Sequence, residues 1–371
     1  KMKKLIMLIG ISGSGKSTFT NQLEDDNVHI LSSDEIRLQL YNTLEEGNNH
    51  NTEVFDYLHN EMKQLFINTS NDEDITVVYD ATNVNRKRRT HVYKMVKAID
   101  KSIIVDSVVV FRDPVQAKIN NKNREAFRFV PENVIDQQFM SLQMPRITVD
   151  TDNIIGAGDK WFEGDCVTIG RILDNDGDRH ILDLIADIAI PNVSDMVKLN
   201  FAPHDTPYHK EDINDHIKWV YAETSEKYDH LALAAAFHDV GKGFVKGKGM
   251  NTGAPGKYIN HENVGAQMLM NLILFNNHGG KITTSEKHTS DCVELVQQHM
   301  AAHTVNLDNA KHRHNWKTRN ALSEELITNI MNFSAIDDAM RITHINNDAQ
   351  NIASEIRMDN GVFLAFIDKE L

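Results

Sequence analysis

The chain has 371 residues, of which 41% are hydrophobic and 25% charged, and its formal net charge is −14 at pH 7. This length favours two domains, because a single hydrophobic core rarely grows beyond roughly 250–300 residues. The negative charge argues against a protein that coats duplex nucleic acid, but it does not exclude an enzyme that grips only a strand end. The two cysteines, Cys166 and Cys292, are too few for a disulfide framework or a cysteine zinc cluster.

Apolar stretches such as LIMLI, SVVVF and LALAAAF are short. A helix that crosses a bilayer needs roughly 20 apolar residues, and no secretory hydrophobic region follows the segment KMKK. We therefore expect a cytoplasmic protein without a membrane partner.

The chain changes character along its length. Continuous apolar runs joined by helical stretches predict an α/β domain over residues 1–150, with a parallel sheet covered by helices. Residues 151–195 are acidic and turn-rich, which indicates a connector or small subdomain around the strand-like piece CVTIGRIL. Residues 196–371 are rich in helical patterns and histidine and predict an all-α second domain. The strands predicted in the first domain are Leu5–Ile9, His29–Ser32, Ile75–Tyr79 and Ile103–Phe111, with helices over Thr52–Phe66 and Arg88–Ala98.

The segment GISGSGKSTF, residues 10–19, follows the first predicted strand and fits the pattern G-x-x-x-x-G-K-[ST]. In such a loop, backbone N–H groups surround the phosphates of a nucleoside triphosphate at a helix N-terminus. Lys16 would reach the β- and γ-phosphates, and Ser17 would offer its hydroxyl to Mg²⁺. We therefore expect ATP and Mg²⁺ to bind at Gly10, Ser12, Gly13, Ser14, Gly15, Lys16, Ser17 and Thr18.

Two acidic segments follow the next strands. SSDEIR places Asp34 and Arg37 one helical turn apart at the carboxyl edge of the sheet, where ligands of open α/β folds bind. A carboxylate there could accept the proton of an attacking hydroxyl, and the arginine could hold a phosphate of the acceptor. The other interpretation is a plain helix start with Ser33 as N-cap. Asp80 ends the third strand, where it could orient Mg²⁺-bound water or an arginine.

Two groups of arginines come later in the first domain. The basic run RKRR, residues 86–89, indicates either a solvated helix face or a direct substrate contact. Arg124 and Arg128 lie one turn apart in NNKNREAFRFVP. Arginines in such a segment favour a lid that closes over the triphosphate and stabilises charge during transfer.

The segments GISGSGKST, SSDEIR, YDATN and NNKNREAFRFVP, in this order, resemble the 5′-hydroxyl polynucleotide kinases of phage and bacterial end-healing enzymes over roughly residues 3–145. The resemblance implies a P-loop kinase fold with Asp34 as the general base and Arg37 on the acceptor phosphate. It also implies that Asp80 supports the acceptor site and that Arg124 contacts the donor phosphates. The family's lid varies, so Arg128 stays an alternative to Arg124.

Histidines and aspartates recur in the second half. LALAAAFHDVGKG ends an apolar helix with His238 and Asp239 adjacent, a pair that can bind one divalent ion, and Lys242 could meet a substrate phosphate. His216 lies on the inward face of a predicted helix, where a hydrogen-bonded core histidine is the alternative. Asp337 falls on a buried apolar stripe and therefore needs an internal partner, whereas Asp338 can face water.

The order of these four residues, His216, His238, Asp239 and Asp337, resembles the ligand set of the HD phosphohydrolase superfamily over about residues 200–345. The resemblance implies hydrolysis of a phosphate ester with a divalent transition metal such as Mn²⁺, Ni²⁺, Co²⁺ or Zn²⁺. Such an ion would lower the pKa of a coordinated water.

Further histidines follow the same resemblance. His261 and His299 match positions that the superfamily uses for a second metal or for a substrate phosphate, and His209 could play a similar outer role. The glycine- and lysine-rich segment between His238 and His261 predicts either a loop that closes on an anion or a plain flexible insertion.

A competing motif lies in the connector. ILDNDGD, residues 172–178, and the later AIDDAM resemble the acidic motifs of haloacid dehalogenase phosphatases. Asp178 stands where that family has Thr or Val, and the intervening pattern is helical rather than alternating. We therefore interpret Asp174 and Asp176 as turn residues.

The two halves together predict nucleic-acid end healing: ATP-dependent phosphorylation of 5′-hydroxyl ends, and metal-dependent removal of a 3′-phosphate or 2′,3′-cyclic phosphate. The partners would be RNA or DNA strand ends in the cytoplasm of a bacterium or a phage-infected host. A nucleic-acid ligase would be a functional companion, and a homo-oligomer stays open. The alternative is a nucleoside or other small-molecule kinase fused to an HD nucleotide phosphohydrolase or nucleotide sensor.

Overall fold

The computed structural model describes residues 2–23, 25–162, 209, 211, 213–245, 258–277 and 279–341. Two units are distinguished: one comprises Lys1–Trp161 and Met270–Ser290, the other Phe162–Leu269 and Asp291–Leu371. Within the described ranges, no helix has the length and apolarity needed to cross a membrane. The predicted strand CVTIGRIL, the segment ILDNDGD and most of the lysine-rich loop before His261 lie outside the described residues.

A six-stranded sheet forms the centre of the first unit. Its strand order is β2-β3-β1-β4-β5-β6, and all neighbours pair in parallel except the antiparallel pair β5–β6. The first four strands confirm the parallel sheet predicted from the apolar runs. The strands are β1 Lys3–Ile9, β2 Val28–Ser32, β3 Ile75–Asp80, β4 Ile104–Phe111, β5 Asn153–Gly158 and β6 Lys281–Ile282.

Strand β1 explains why both faces of this sheet are covered. Its side chains alternate in direction, so Leu5 and Met7 pack with helix residues such as Leu58, while Ile6 and Leu8 join a second cluster on the other face. The last five residues of β1 are all apolar and buried, and such a run can only be accommodated between two layers. The covering helices are α1 Lys16–Thr20, α2 Ser33–Tyr41, α3 Leu44–Asn49, α4 Asn51–Asn68, α5 Arg86–Ile99, α6 Pro114–Lys122 and α7 Glu132–Ser141.

Strand β5 lies in the segment for which the sequence predicts a connector. Two of its six residues are glycine, so its propensity for strand is low. A Cβ at Gly156 would approach Phe275 Cζ to 3.2 Å, and the glycine thus leaves room for the chain at Met270–Ser290. Strand β6 in that returning segment pairs with β5. The first unit therefore extends past residue 150 and includes a stretch from the second half of the chain.

The basic run at residues 86–89 divides into buried and exposed members. Arg89 is fully buried, and its Nε lies 2.8 Å from Asp150 Oδ2. Arg86 is also buried and donates to the carbonyl oxygen of Met144. Lys87 and Arg88 are exposed. The solvated-face and substrate-contact interpretations are therefore both wrong for Arg86 and Arg89, which bind α5 to the segment after α7.

The described part of the second unit is helical, as predicted. The helix Glu324–Ala339 carries the apolar stripe expected from the sequence, with Leu326, Ile330 and Phe333 buried. Asp337 on this stripe is 3% exposed, whereas the Asp338 side chain is 49% exposed, which confirms their predicted burial. The helices that lie here in whole or in part are α8 Ile213–Lys227, α9 Ala232–Phe237, α10 Lys242–Val245, α11 His261–Leu272, α12 Lys287–Gln298, α13 Ala301–Thr304, α14 Ala310–Asn320 and α15 Glu324–Ala339.

The buried pair of Arg89 and Asp150 makes a prediction about stability. Arg89→Ala leaves a buried carboxylate without its cation, so we expect the free energy of unfolding of the first unit to fall by about 3–5 kcal/mol. Urea unfolding measures this change. The matched control is Lys87→Ala, an exposed cation on the same helix, for which we expect a change within about 0.5 kcal/mol. Equal losses in the two variants would contradict the structural role of Arg89.

Candidate active sites

The loop between β1 and α1 has the backbone of a phosphate-binding loop. Gly13 and Gly15 have φ angles of +79° and +101°, a region that favours glycine. A Cβ at Gly13 would overlap the carbonyl oxygen of Ala117, so the loop can lie close to α6 only with glycine there. Ser17 and Thr18 are exposed beyond this turn. The loop is therefore shaped before any phosphate binds.

Two of the predicted loop residues are engaged inside the unit. The backbone N–H of Ser12 donates to Gln138 Oε1 on α7 at 2.8 Å. Ser14 is fully buried, and its backbone oxygen lies 3.5 Å from Arg112 Nε. These contacts attach the loop to neighbouring elements and leave Gly15, Lys16 and the first residues of α1 for the phosphates.

Lys16 is held over the loop by backbone carbonyls. Its half-buried ammonium donates to the oxygens of Gly10 and Ile11 at 3.0 and 2.9 Å. Burial lowers the pKa of Lys16 to about 8, although the charges of Asp80 and Asp34 oppose this shift. When a triphosphate binds, the ammonium can replace its hydrogen bonds to these carbonyl oxygens with hydrogen bonds to phosphate oxygens.

The carboxyl ends of β2 and β3 bring the two acidic segments together. Ser32 and Asp80 are paired in register, so the start of α2 lies beside the end of β3. Burial raises the pKa of Asp80, the charge of Lys16 opposes this, and the charge of Asp34 adds to it. The sheet therefore places Lys16, Asp34 and Asp80 in one electrostatic environment, as the sequence predicts.

Asp34 and Arg37 form an ion pair on the first turns of α2. Arg37 Nη1 lies 3.1 Å from Asp34 Oδ1, and Nη2 donates to Asn51 Oδ1 at 2.7 Å. The helix is capped by Ser32, whose hydroxyl accepts from the backbone N–H of Glu35, so the prediction of Ser33 as N-cap is wrong by one residue. Asp34 is 39% exposed at its side chain and is accessible to an attacking hydroxyl.

The two lid arginines have different surroundings. The charge of Arg124 contributes to lowering the pKa of both Lys16 and Asp80, so its field reaches the phosphate loop. Arg128 instead pairs with Glu125 at 3.7 Å and lies over the ring of Phe127. Of the two arginines, Arg124 is the one whose charge acts on Lys16 and Asp80.

Arg112 also lies at the phosphate loop, although the sequence analysis does not predict it. It follows β4 directly, and its Nη1 lies 2.8 Å from Asp159 Oδ1, while its Nε contacts the oxygen of Ser14. The available signal was its place after the carboxyl end of a central strand, the edge where the other functional residues also lie.

Asp239 is the centre of the site in the second unit. Its Oδ2 lies 3.7 Å from His216 Nε2 and 3.4 Å from His238 Nε2. Its Oδ1 lies 3.2 Å from His261 Nε2 and 3.7 Å from His299 Nε2. All five side chains are buried. Each oxygen of the Asp239 carboxylate thus faces one pair of imidazoles.

Asp337 completes the first of these two groups. Its Oδ1 lies 2.8 Å from His216 Nε2 and 3.8 Å from His238 Nε2. Burial alone would raise the pKa of Asp337, but hydrogen bonds with His216 and His303 hold it well below its ordinary value. Asp337 is therefore an anion in the interior, as the prediction of an internal partner requires.

Three of the histidines are oriented in the same way. The Nδ1 atoms of His238, His261 and His299 each lie 2.7 Å from the carbonyl oxygen three residues earlier. Because a carbonyl only accepts, each Nδ1 carries a proton, and each Nε2 presents a lone pair to the cluster when its ring is neutral. The Nε2 atoms of His261 and His299 face each other at 3.1 Å. Two lone pairs at this distance fit neighbouring ligands of one metal ion, whose bonds to nitrogen are about 2.0–2.1 Å.

The cluster could therefore hold two divalent ions. One set of donors is His216, His238, Asp239 Oδ2 and Asp337, and the other is Asp239 Oδ1, His261 and His299. All six predicted ligands of the second unit are brought together. His261 and His299 are thus placed where they could ligate a second ion.

Two cationic side chains, Lys242 and Arg341, lie at the edge of this cluster. Lys242 Nζ lies 2.6 Å from Asp239 Oδ2, one of the candidate donor atoms. Arg341 Nη2 lies 3.5 Å from Asp337 Oδ2 and 3.2 Å from His303 Nε2. Neither Arg341 nor His303 belongs to the site residues predicted from the sequence. The four-residue spacing from Asp337 to Arg341 was the signal that could have found the arginine.

Glu211 connects the predicted outer histidine to the cluster. Its Oε1 lies 2.6 Å from His209 Nδ1 and 3.5 Å from His216 Nδ1. Burial would raise the pKa of Glu211, but the hydrogen bond with His209 and the histidine charges bring it to about 2. His209 therefore reaches His216 through this carboxylate, a residue that sequence reasoning missed.

The low pKa of Lys16 makes a prediction about pH. The charged ammonium binds phosphate, and its protonated fraction falls as the pH rises through about 8. We expect the affinity of the free enzyme for ATP to fall above this pH, measured by equilibrium binding across the range. Any binding retained by Lys16→Arg should lose this dependence, because a guanidinium stays charged. An unchanged wild-type affinity up to about pH 10 would contradict the prediction.

The two groups around Asp239 make a prediction about metal stoichiometry. We expect two Mn²⁺ ions per chain in equilibrium dialysis with metal analysis, and one in His261→Ala, because that change removes a ligand of one group only. His314→Ala, which removes an exposed histidine of α14, serves as the control and should keep two. A wild-type value of one, or no change in His261→Ala, would contradict the assignment.

A family model described as an AAA domain matches residues 5–145. No curated protein matches the chain. The matched segment runs from β1 through the phosphate loop and the acidic strand ends to the residues after α7, and it ends before the histidine cluster begins. Residues 5–145 are therefore similar to a P-loop kinase-like family, a similarity that implies ATP and Mg²⁺ as ligands.

Proposed function

We propose that the chain is an end-healing enzyme that phosphorylates 5′-hydroxyl ends and removes the phosphate from 3′ ends of nucleic acid. The observation that carries the kinase assignment is the ion pair of Asp34 and Arg37 beside Lys16. A general base and a phosphate-holding guanidinium at 3.1 Å from each other suit an acceptor hydroxyl that has a phosphate nearby. The 5′ end of a strand has this arrangement.

In the proposed transfer, Lys16 and Arg124 bind the donor phosphates, and Ser17 would offer its hydroxyl to Mg²⁺. Arg37 holds the phosphate on the 3′ side of the terminal nucleotide, which directs the 5′-hydroxyl toward Asp34. Asp34 accepts the hydroxyl proton as the oxygen attacks the γ-phosphorus, and the bond to the ADP leaving group breaks. Asp80 stabilises the cations around the reacting groups.

The second activity is assigned to the cluster around Asp239. Divalent ions bound there would act as Lewis acids toward a phosphate ester. Lys242 and Arg341 lie at the edge of the donor set and would hold the oxygens of a 3′-phosphate or a 2′,3′-cyclic phosphate. Together the two activities would convert cleaved ends into 5′-phosphate and 3′-hydroxyl ends, which a ligase can join.

A second candidate is a small-molecule kinase joined to a nucleotide phosphohydrolase or nucleotide sensor. The net charge of −14 favours it, because a long polyanion is repelled by such a surface more than a nucleoside is. It predicts phosphorylation of nucleosides and no transfer to strand ends. The sensor form further predicts nucleotide binding in the second unit without hydrolysis.

The kinase assignment predicts label transfer from γ-labelled ATP to a 5′-hydroxyl oligonucleotide. We expect Lys16→Ala and Asp34→Ala to reduce the rate by at least a hundredfold, because they remove a donor contact and the base. Asp239→Ala is the matched control, since it removes a buried carboxylate of the other site, and it should leave the rate unchanged. Transfer to nucleosides but not to oligonucleotides would contradict the proposal.

The hydrolase assignment predicts metal-dependent release of phosphate from an oligonucleotide with a 3′-phosphate, or opening and removal of a 2′,3′-cyclic phosphate. Asp239→Ala and His238→Ala should abolish this release, because each removes a donor shared by the cluster. Lys16→Ala should not affect it. Activity that persists in both cluster variants would exclude this site.

A further inference from the structure

The ring of Phe55 lies near two guanidinium groups on the acceptor side of the kinase site. The Cζ atom of Arg37 lies 5.7 Å from the ring centre and that of Arg88 lies 6.0 Å from it. Both charges also act on Tyr79: burial raises the pKa of its hydroxyl, and the two arginines oppose this shift. The two cations, from α2 and α5, therefore belong to one small region of the surface.

The two arginines differ in how much of their bonding capacity is used. Arg37 is 8% exposed and is bound to Asp34 and Asn51, while its Nε has no hydrogen-bond partner among the described residues. Arg88 is exposed, and no acidic side chain of the described chain lies within ion-pair distance of it. A guanidinium offers five N–H donors, so Arg88 keeps donors for an anion from solution.

The backbone position of Arg88 is nevertheless fixed. Asn85 caps α5, and its Oδ1 accepts from the backbone N–H of Arg88 at 3.3 Å. The next residue, Arg89, is fully buried in its pair with Asp150. An exposed cation on a well-anchored helical turn loses little backbone freedom when it binds a ligand.

These positions form a path that leads away from the base. Asp34 contacts Arg37, Arg37 lies over Phe55, and Arg88 lies over the same ring. We propose that Arg88 binds the second phosphate of the acceptor strand, counted from the 5′-hydroxyl. The acceptor site would then recognise two consecutive phosphates and would prefer a polynucleotide to a nucleoside 3′-phosphate. This inference rests on the proposed kinase function.

The test compares two 5′-hydroxyl acceptors: a nucleoside 3′-phosphate, with one phosphate, and a dinucleotide that ends in a 3′-phosphate, with two. For Arg88→Ala we expect KM for the dinucleotide to rise roughly tenfold with kcat unchanged, since one charge-assisted contact is lost. KM for the nucleoside 3′-phosphate should not change. Lys94→Ala, which removes an exposed cation elsewhere on α5, is the matched control and should change neither value.

The proposed contact between Arg88 and the second phosphate can also be tested by a binding measurement, which needs no turnover. The affinity for a 3′-labelled, 5′-hydroxyl oligonucleotide should depend less steeply on salt in Arg88→Ala, by a slope of about 0.7 for one lost phosphate contact. Arg88→Lys should keep the wild-type slope because it keeps the charge.

Two results would overturn the inference. One is that Arg88→Ala leaves both KM values and the salt slope as they are in the wild type. The other is an equal rise for both acceptors, which would mean that Arg88 acts by positioning Phe55 and Arg37. A wild-type protein that phosphorylates neither acceptor would instead contradict the kinase proposal, and the binding measurement would still decide the role of Arg88.

Discussion

Parallel pairing of the central strands is the constraint on which the kinase site depends. Because β1, β2 and β3 run in the same direction, their carboxyl ends meet at one edge, and residues far apart in sequence become neighbours. Lys16, Asp34 and Asp80 each follow or end one of these strands. Burial at this edge lowers the pKa of the Lys16 ammonium and raises that of the Asp80 carboxyl, and the attraction between the two groups opposes both shifts. A bound triphosphate with its Mg²⁺ would supply the charges that this edge is built to receive.

The second unit contains buried carboxylates whose negative charge must be stabilised. Two buried carboxylates, Asp239 and Asp337, would be costly without cations or hydrogen-bond donors, and the chain surrounds them with imidazoles, of which His216 hydrogen-bonds to Asp337. Lys242 and Arg341 provide fixed positive charge at the edge of the cluster. A donor set of neutral imidazoles and carboxylates suits divalent metal ions. The proposed hydrolase chemistry follows from this composition.

Local sequence signals predicted much of the fold but not its long-range contacts. The strands β1 to β4 were predictable because their apolar runs are continuous, and the phosphate loop because its glycines have a fixed spacing. Strand β5 and the returning segment at Met270–Ser290 depend on a close approach at Gly156, which no local pattern reports. The burial of Arg89 could not be predicted from local sequence either, because its partner Asp150 is 61 residues away. In the candidate sites, the ligands with family-like spacing were predicted, while Arg112, Glu211 and His303 contribute only through tertiary contacts.

The most direct test of the proposed function uses one RNA strand that carries a 5′-hydroxyl and a 3′-phosphate, incubated with ATP, Mg²⁺ and Mn²⁺ and analysed by mass spectrometry. End healing predicts a product with a 5′-phosphate and a 3′-hydroxyl. It also predicts that Asp34→Ala stops only the first change and Asp239→Ala only the second. A strand that stays unmodified at both ends, while free nucleosides are phosphorylated, would contradict it.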